Sequence, residues 1–445
     1  MALLRALIAG IVLVGTALSA TAQTVIRDDE TERYLRELAD PLLEAAGLRP
    51  EDLRLFVLAD PQLNAFVAGG QNLFLYTGLI GSTTTPEQLA GVIAHEIGHI
   101  AGGHLTRLAR AGERAGMQAL IGALVGVAAA VAGAPQLGTA AIVGSQGLAR
   151  QQMLSFTRTQ EQAADQAAVT YLSAAGMSPR GLLEMMRTLD IRTRGISGGG
   201  REFLQTHPLT RDRIRFLEDV VAASPLRDKT TDPALLERHR RVVAKLDGFL
   251  SPVQDVLRRY RGDDFPSRYA RAIALYRDLR FDASIALLDE LLAERPEDPY
   301  LLELKGQFLF ERGRVAEAEA PYRAALRFRP DSSLIRISFA RTLMEQDRAD
   351  KLPEARTLLR EAIRLDPLYA PAYQLLGVVA GRLGDQPESF LALTEWAVLR
   401  HNKRDAELYL RRAEDRIGPN HRDWLRLQDL RRAVAEIPER PRRRR

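Results

Sequence analysis

Thr85-Pro86-Glu87-Gln88-Leu89-Ala90-Gly91-Val92-Ile93-Ala94-His95-Glu96-Ile97-Gly98-His99 is the stretch from which the rest of the chain falls into order. Thr85 is a good N-cap, Pro86 suits the first helical position, and Gln88 stands three residues after the cap, so a helix begins here. Leu89, Val92, Ile93 and Ile97 recur at helical spacing and predict a buried face. His95 and His99 are one turn apart on that helix, which sets both imidazoles on one side, able to hold a single Zn2+. Glu96 is rotated about a quarter turn away. There it reaches a water on such an ion rather than the ion itself, which is the place of a general base.

Two histidines make an incomplete site, and the residues downstream leave the third ligand open. Three of the seven histidines lie between His95 and His104. On an unbroken helix, however, His104 points about 180° away from His95. It becomes a ligand only if Gly102-Gly103 breaks the helix. Glu161 is the other candidate. It lies in Arg158-Thr159-Gln160-Glu161-Gln162-Ala163-Ala164-Asp165, which reads as a second helix continuing through Ala168 and Tyr171. Asp165, one turn later on the same face, is placed to accept a hydrogen bond from a ligating imidazole. Ordinary amphipathic helices carry the same Glu and Asp pairs, so spacing alone does not choose.

Working outward toward the N-terminus, Leu53 to Leu58 and Gln71 to Thr77 are apolar and partly alternating, and predict strands of a small sheet. Asn64-Ala65-Phe66 and Gly69-Gly70 read as the intervening turns. Arg5 followed by the uncharged run Ala6–Ala22, ending Ser19-Ala20-Thr21-Ala22, has the layout of a cleaved export signal over residues 1–22. Residues 115–149 carry no charge and predict a helical hairpin, either buried or inserted peripherally in a membrane. The chain has no cysteine, so joining its parts is expected to rest on packing alone. The 62 basic and 57 acidic residues are interspersed, which argues against a nucleic-acid partner.

Toward the C-terminus the pattern changes to a repeat. Pro296 and Pro330 are 34 residues apart, with Gly306, Ala318, Tyr322 and Ala325 at the packing positions of a tetratricopeptide unit. Ala355, Ala362 and Pro367 follow in step after a three-residue insertion around Arg348 to Lys351, then Tyr373 and Gly377. Such hairpins stack into a curved array with a concave face for a protein partner. The expected layout is a domain at 23–227, a connecting helical segment at 228–263, repeats at 264–435 and a basic tail at 436–445. The fold class is α+β, mostly α. Gly198-Gly199-Gly200 would let the segment carrying His207 swing as a lid.

Asn64-Ala65-Phe66, His95-Glu96-Ile97-Gly98-His99, Glu161 with Ala164-Asp165, and His207-Pro208 followed by Arg213-Ile214 together resemble the gluzincin family that includes the HtpX membrane heat-shock protease and the CAAX prenyl protease. The export signal and the repeats resemble its soluble periplasmic branch, over nearly the whole mature chain. That resemblance implies a zincin-type metalloprotease holding one Zn2+ per chain through His95, His99 and Glu161, with Glu96 catalytic and Asp165 bonded to a ligand. It places His207 beside the metal, either blocking it or assisting catalysis. It further implies a periplasmic enzyme acting on unfolded or stalled outer-membrane proteins, whose repeats dock substrate or the outer-membrane β-barrel assembly machinery. The competing expectation is a chaperone or adaptor in which the repeats act and the protease is mostly latent.

Overall fold

Alternation of large apolar residues builds a four-stranded sheet: β1 (Val25–Ile26), β2 (Arg54–Leu58), β3 (Ala65–Ala68) and β4 (Asn72–Tyr76). The spatial order is β1-β2-β4-β3, with β2 and β4 parallel and the outer pairs antiparallel. One face carries Phe56, Phe74 and Phe66 side by side, each ring pair stacked at 4.9 Å. The opposite face sends Val57, Leu75 and Ala65 into the core. Asn64-Ala65-Phe66 was expected as a turn, and that expectation fails beyond Asn64. Ala65–Ala68 alternates like its neighbours, and the Phe66 ring completes the aromatic row, so the segment pairs with β4 instead. Gly69 and Gly70, at φ 57° and 97°, make the reversal between β3 and β4.

The structure, a computed structural model, describes residues 24–104, 106, 107, 110, 157–194 and 207–438. The export signal, the 115–149 segment, Gly198–Gly200 and residues 439–445 of the basic tail lie outside the described residues. Among the described residues, no helix is long and apolar enough to cross a membrane.

The motif helix, Pro86–Ala101, runs through the centre of the first core and is buried on nearly every side. Leu89, Val92, Ile93 and Ile97 all face inward, as their spacing requires. Each such side chain, fully buried, stabilises the fold by about 1.5–3 kcal/mol. Gln88 acts at the N-terminus, accepting the Thr84 amide at 2.8 Å. The core also takes in Leu35, Leu38 and Leu42 from the helix Asp29–Ala45, and Leu182 and Met186 from the helix Arg180–Arg194.

The helix Pro233–Leu250 belongs to both halves of the chain. Val242 and Leu246 join the first core, while Ala244 packs with Val256, Ala270 and Ala274 beneath the repeats. His239 pins it from within: Tyr34 Oη donates to Nδ1 (2.7 Å) and Nε2 donates to the Thr83 carbonyl (3.2 Å). Beyond it, helix pairs follow one another, beginning with Phe265–Arg277 and Phe281–Glu294 and ending with Lys403–Glu414 and Trp424–Ala435. Gly306 faces the Tyr322 ring, as the repeat spacing predicts.

Packing alone does not join the two halves, contrary to the expectation drawn from the missing cysteines. A charge network, buried at its centre, adds to it. Arg241 bridges Glu30 and Asp298, and Lys245 bridges Asp28 and Glu30. Tyr269 donates to Glu30 Oε2 (3.0 Å) and Tyr300 to Asp29 Oδ2 (3.1 Å). Arg33 reaches Asp331 (2.7 Å) and Arg27 reaches Asp366 (2.8 Å). Burial would lower the basic groups, but the surrounding carboxylates hold Arg241 and Lys245 well above their ordinary values.

Candidate metal centre

The motif helix and the helix over 157–174 cross at Gly98, where an added Cβ would stand 3.0 Å from the Ala164 carbonyl oxygen. That close approach brings Glu161 over the histidine face. His95 Nε2 and His99 Nε2 are 3.1 Å apart. Glu161 Oε2 lies 3.3 Å from the first and Oε1 3.3 Å from the second. His207 enters from the far side, with Nδ1 3.2 Å from either oxygen of Glu161 and 3.3 Å from His95 Nε2. One ligand atom from each of these four buried residues lies within 4.8 Å of all the others.

Asp165 faces the rear of His95, its Oδ1 3.0 Å from Nδ1. Arg213, 1% exposed, holds Asp165 through Nε (2.6 Å) and Nη2 (2.8 Å). The same guanidinium reaches Glu161 at 2.9 Å and the Pro208 carbonyl at 2.9 Å, tying the carboxylates to the chain segment that carries His207. Glu96 is fully buried beside the cluster, and His207 Nε2 is 3.4 Å from its Oε1. Neither Glu96 oxygen accepts a hydrogen bond among the described residues.

The electrostatics ask for positive charge between the imidazoles. Burial opposes a charged His95, yet bonds to Asp165 and Glu161 raise it to about 10. His99 moves down, through burial. Burial would raise Glu161, but His207, His95 and His99 together hold it far below the ordinary carboxylate range. His104 is pushed down to about 4, first by burial. Two nitrogens and a carboxylate that converge in this way suit a cation better than a proton. In a tetrahedral zinc site the ligand atoms are about 3.3 Å apart, and the Nε2 and Oε separations here are close to that value. The donor set therefore fits the metal.

All six residues singled out from the sequence, His95, Glu96, His99, Glu161, Asp165 and His207, come together in one buried cluster. His104 stands outside the four-donor set. Arg213 was noticed only as part of a sequence pattern, without a role. Its signal was an arginine six residues after His207, on a helix capped by Thr210, whose charge must be matched once the helix packs inward.

A buried two-histidine helix crossed by a carboxylate helix, with a helical repeat array behind, defines a metallopeptidase with an attached protein-interaction module. Residues 29–221 match the family model for Peptidase family M48, and residues 269–333 that for Tetratricopeptide repeat. The chain thus carries an M48 peptidase domain followed by tetratricopeptide repeats. It is 24% identical to the Beta-barrel assembly-enhancing protease of Yersinia pestis, over 72% of this chain and 67% of that one. The protein of the same name from Escherichia coli strain K12 is 27% identical over 66% of this chain and 61% of its own length. A Vibrio cholerae relative is 28% identical, over 85% and 79% respectively.

Proposed function

We propose that this chain is a zinc-dependent endopeptidase of the periplasm that degrades misfolded or stalled outer-membrane proteins. The observation that carries the reading is the convergence of His95, His99 and Glu161 beside a buried carboxylate, Glu96, that has no hydrogen-bond donor among the described residues. Zinc, which His95, His99 and Glu161 would hold, would supply a more acidic water molecule and an electrophile for the scissile carbonyl. Glu96 takes the proton from that water and delivers it to the leaving amine. Asp165 keeps Nε2 of His95 turned toward the cluster, and Arg213 keeps both Asp165 and Glu161 ionised and oriented.

His207 is the gate in this reading. Its Nδ1 fills a place among the metal-facing donors while its Nε2 is close to Glu96, which corresponds to a closed, latent arrangement. Withdrawal of the His207-Pro208 segment opens the site to an extended chain. A shift that frees the donor cluster but keeps His207 beside it would leave the same imidazole able to bond charge developing on the carbonyl oxygen. The repeats supply substrates, or contact the outer-membrane β-barrel assembly machinery, as the names of the relatives suggest. Peripheral membrane contact through residues 115–149 belongs to the same proposal.

The latent arrangement also gives weight to the reading in which the chain acts chiefly as a chaperone or adaptor. Full-length Glu96→Gln separates the two. It should keep its zinc and lose casein cleavage; cleavage at the wild-type rate would defeat the mechanism.

A further inference from the structure

The chain leaves the motif helix through two glycines, and the exit delivers a residue that the four-donor cluster does not use. The Gly102 amide bonds to the Gly98 carbonyl at 2.9 Å, and Gly103 takes φ 61°, a left-handed turn that glycine adopts freely. The helix ends at Ala101, so the angular argument that turned His104 away from the site no longer applies. His104 folds back and is 6% exposed. Its Nδ1 lies 2.9 Å from Nδ1 of His99, and the rings cross at 79° with centroids 4.9 Å apart. It fits because position 102 has no side chain: a Cβ there would stand 2.3 Å from His104 Nε2.

Two nitrogens at that distance share one hydrogen. His99 Nε2 faces Glu161 and His95, so as a metal ligand it is bare, and the ring hydrogen resides on Nδ1. That hydrogen is donated to His104 Nδ1. We propose that His104 is a positioning residue, the acceptor that fixes the tautomer and ring angle of His99, and that Gly102-Gly103 serves to deliver it. This rests on the reading of His95, His99 and Glu161 as metal ligands. The two histidines are then supported unequally. His95 is backed by a carboxylate that Arg213 holds, and His99 by a neutral imidazole, so His99 is the weaker donor of the pair.

The test is zinc affinity of the full chain, measured by competition with a chelator, beside the thermal midpoint of the metal-free protein. His104→Phe and Gly102→Ala should bind zinc about 10–100-fold more weakly, with the metal-free midpoint unchanged. His104→Asn, which returns an acceptor oxygen near the place of Nδ1, should recover most of the loss. Wild-type affinity in His104→Phe overturns the proposal. So does an affinity loss that follows a lowered metal-free midpoint and is not recovered by Asn. A wild-type chain without stoichiometric zinc would instead overturn the ligand assignment itself.

Discussion

The metal centre and the junction between peptidase and repeats are both buried clusters of charged groups, but they differ in what faces what. At the junction, cations meet anions: Arg241 has Glu30 and Asp298, and Lys245 has Asp28 and Glu30. At the metal centre, Arg213 holds Asp165 and Glu161 from one side, but the inner face is made of potential ligand atoms. Two imidazole nitrogens face each other at 3.1 Å, and Glu96 is buried without a donor among the described residues. Burial of polar groups is tolerated when they are paired and costs several kcal/mol when they are not. Cations matched to anions therefore hold the structure together, and a face of converging ligand atoms is shaped for something added.

The contrast can be broken at either end. The largest effect is expected for Glu96→Gln, which should lower turnover by about 10²–10⁴-fold, read as casein hydrolysis, while the thermal midpoint and zinc content stay at wild-type values. At the junction, Arg241→Met leaves Glu30 and Asp298 short of a partner and should cost about 3–5 kcal/mol of unfolding free energy by denaturant titration, with the metal site unchanged. Asp165→Asn removes the charge behind His95 and should weaken zinc binding about 10–100-fold in a chelator titration.

A smaller effect follows from His239, which burial holds neutral and pushes down to about 4 from an ordinary 6.5. Between those values the unfolded chain binds a proton that the folded chain does not. The contribution is thus fully present above pH 6.5 and is lost as pH falls toward 4. Urea midpoints should fall more steeply over that interval in the wild type than in His239→Asn. Equal slopes would show that His239 is not held neutral.

What the sequence made legible divides along the same line. His95, Glu96 and His99 sit on one helix, so local periodicity was enough to propose them; Asp165 follows Glu161 by one turn, but spacing left that pair open and only the resemblance to the gluzincin family chose it. The repeat hairpins are equally local, as in the 34-residue unit from Pro296 to Pro330 marked by Gly306, Ala318 and Tyr322. The strand Ala65–Ala68 was missed because four residues beside a Gly-Gly pair read as a turn until Phe74 supplies the neighbouring ring. The junction could not be read at all. Arg241 and Glu30 are separated by most of the peptidase domain, and nothing in either segment names the other. His104 was left conditional for a different reason: the 100° helical step turns it away from His95, and the sequence alone did not decide whether Gly102-Gly103 ends the helix, as it does.

The measurement that bears most directly on the metal centre is the zinc content of the purified full-length chain beside that of Glu161→Ala. One zinc per wild-type chain and a largely metal-free variant is the result expected. A wild type without zinc, or a variant that retains it in full, would contradict the assignment.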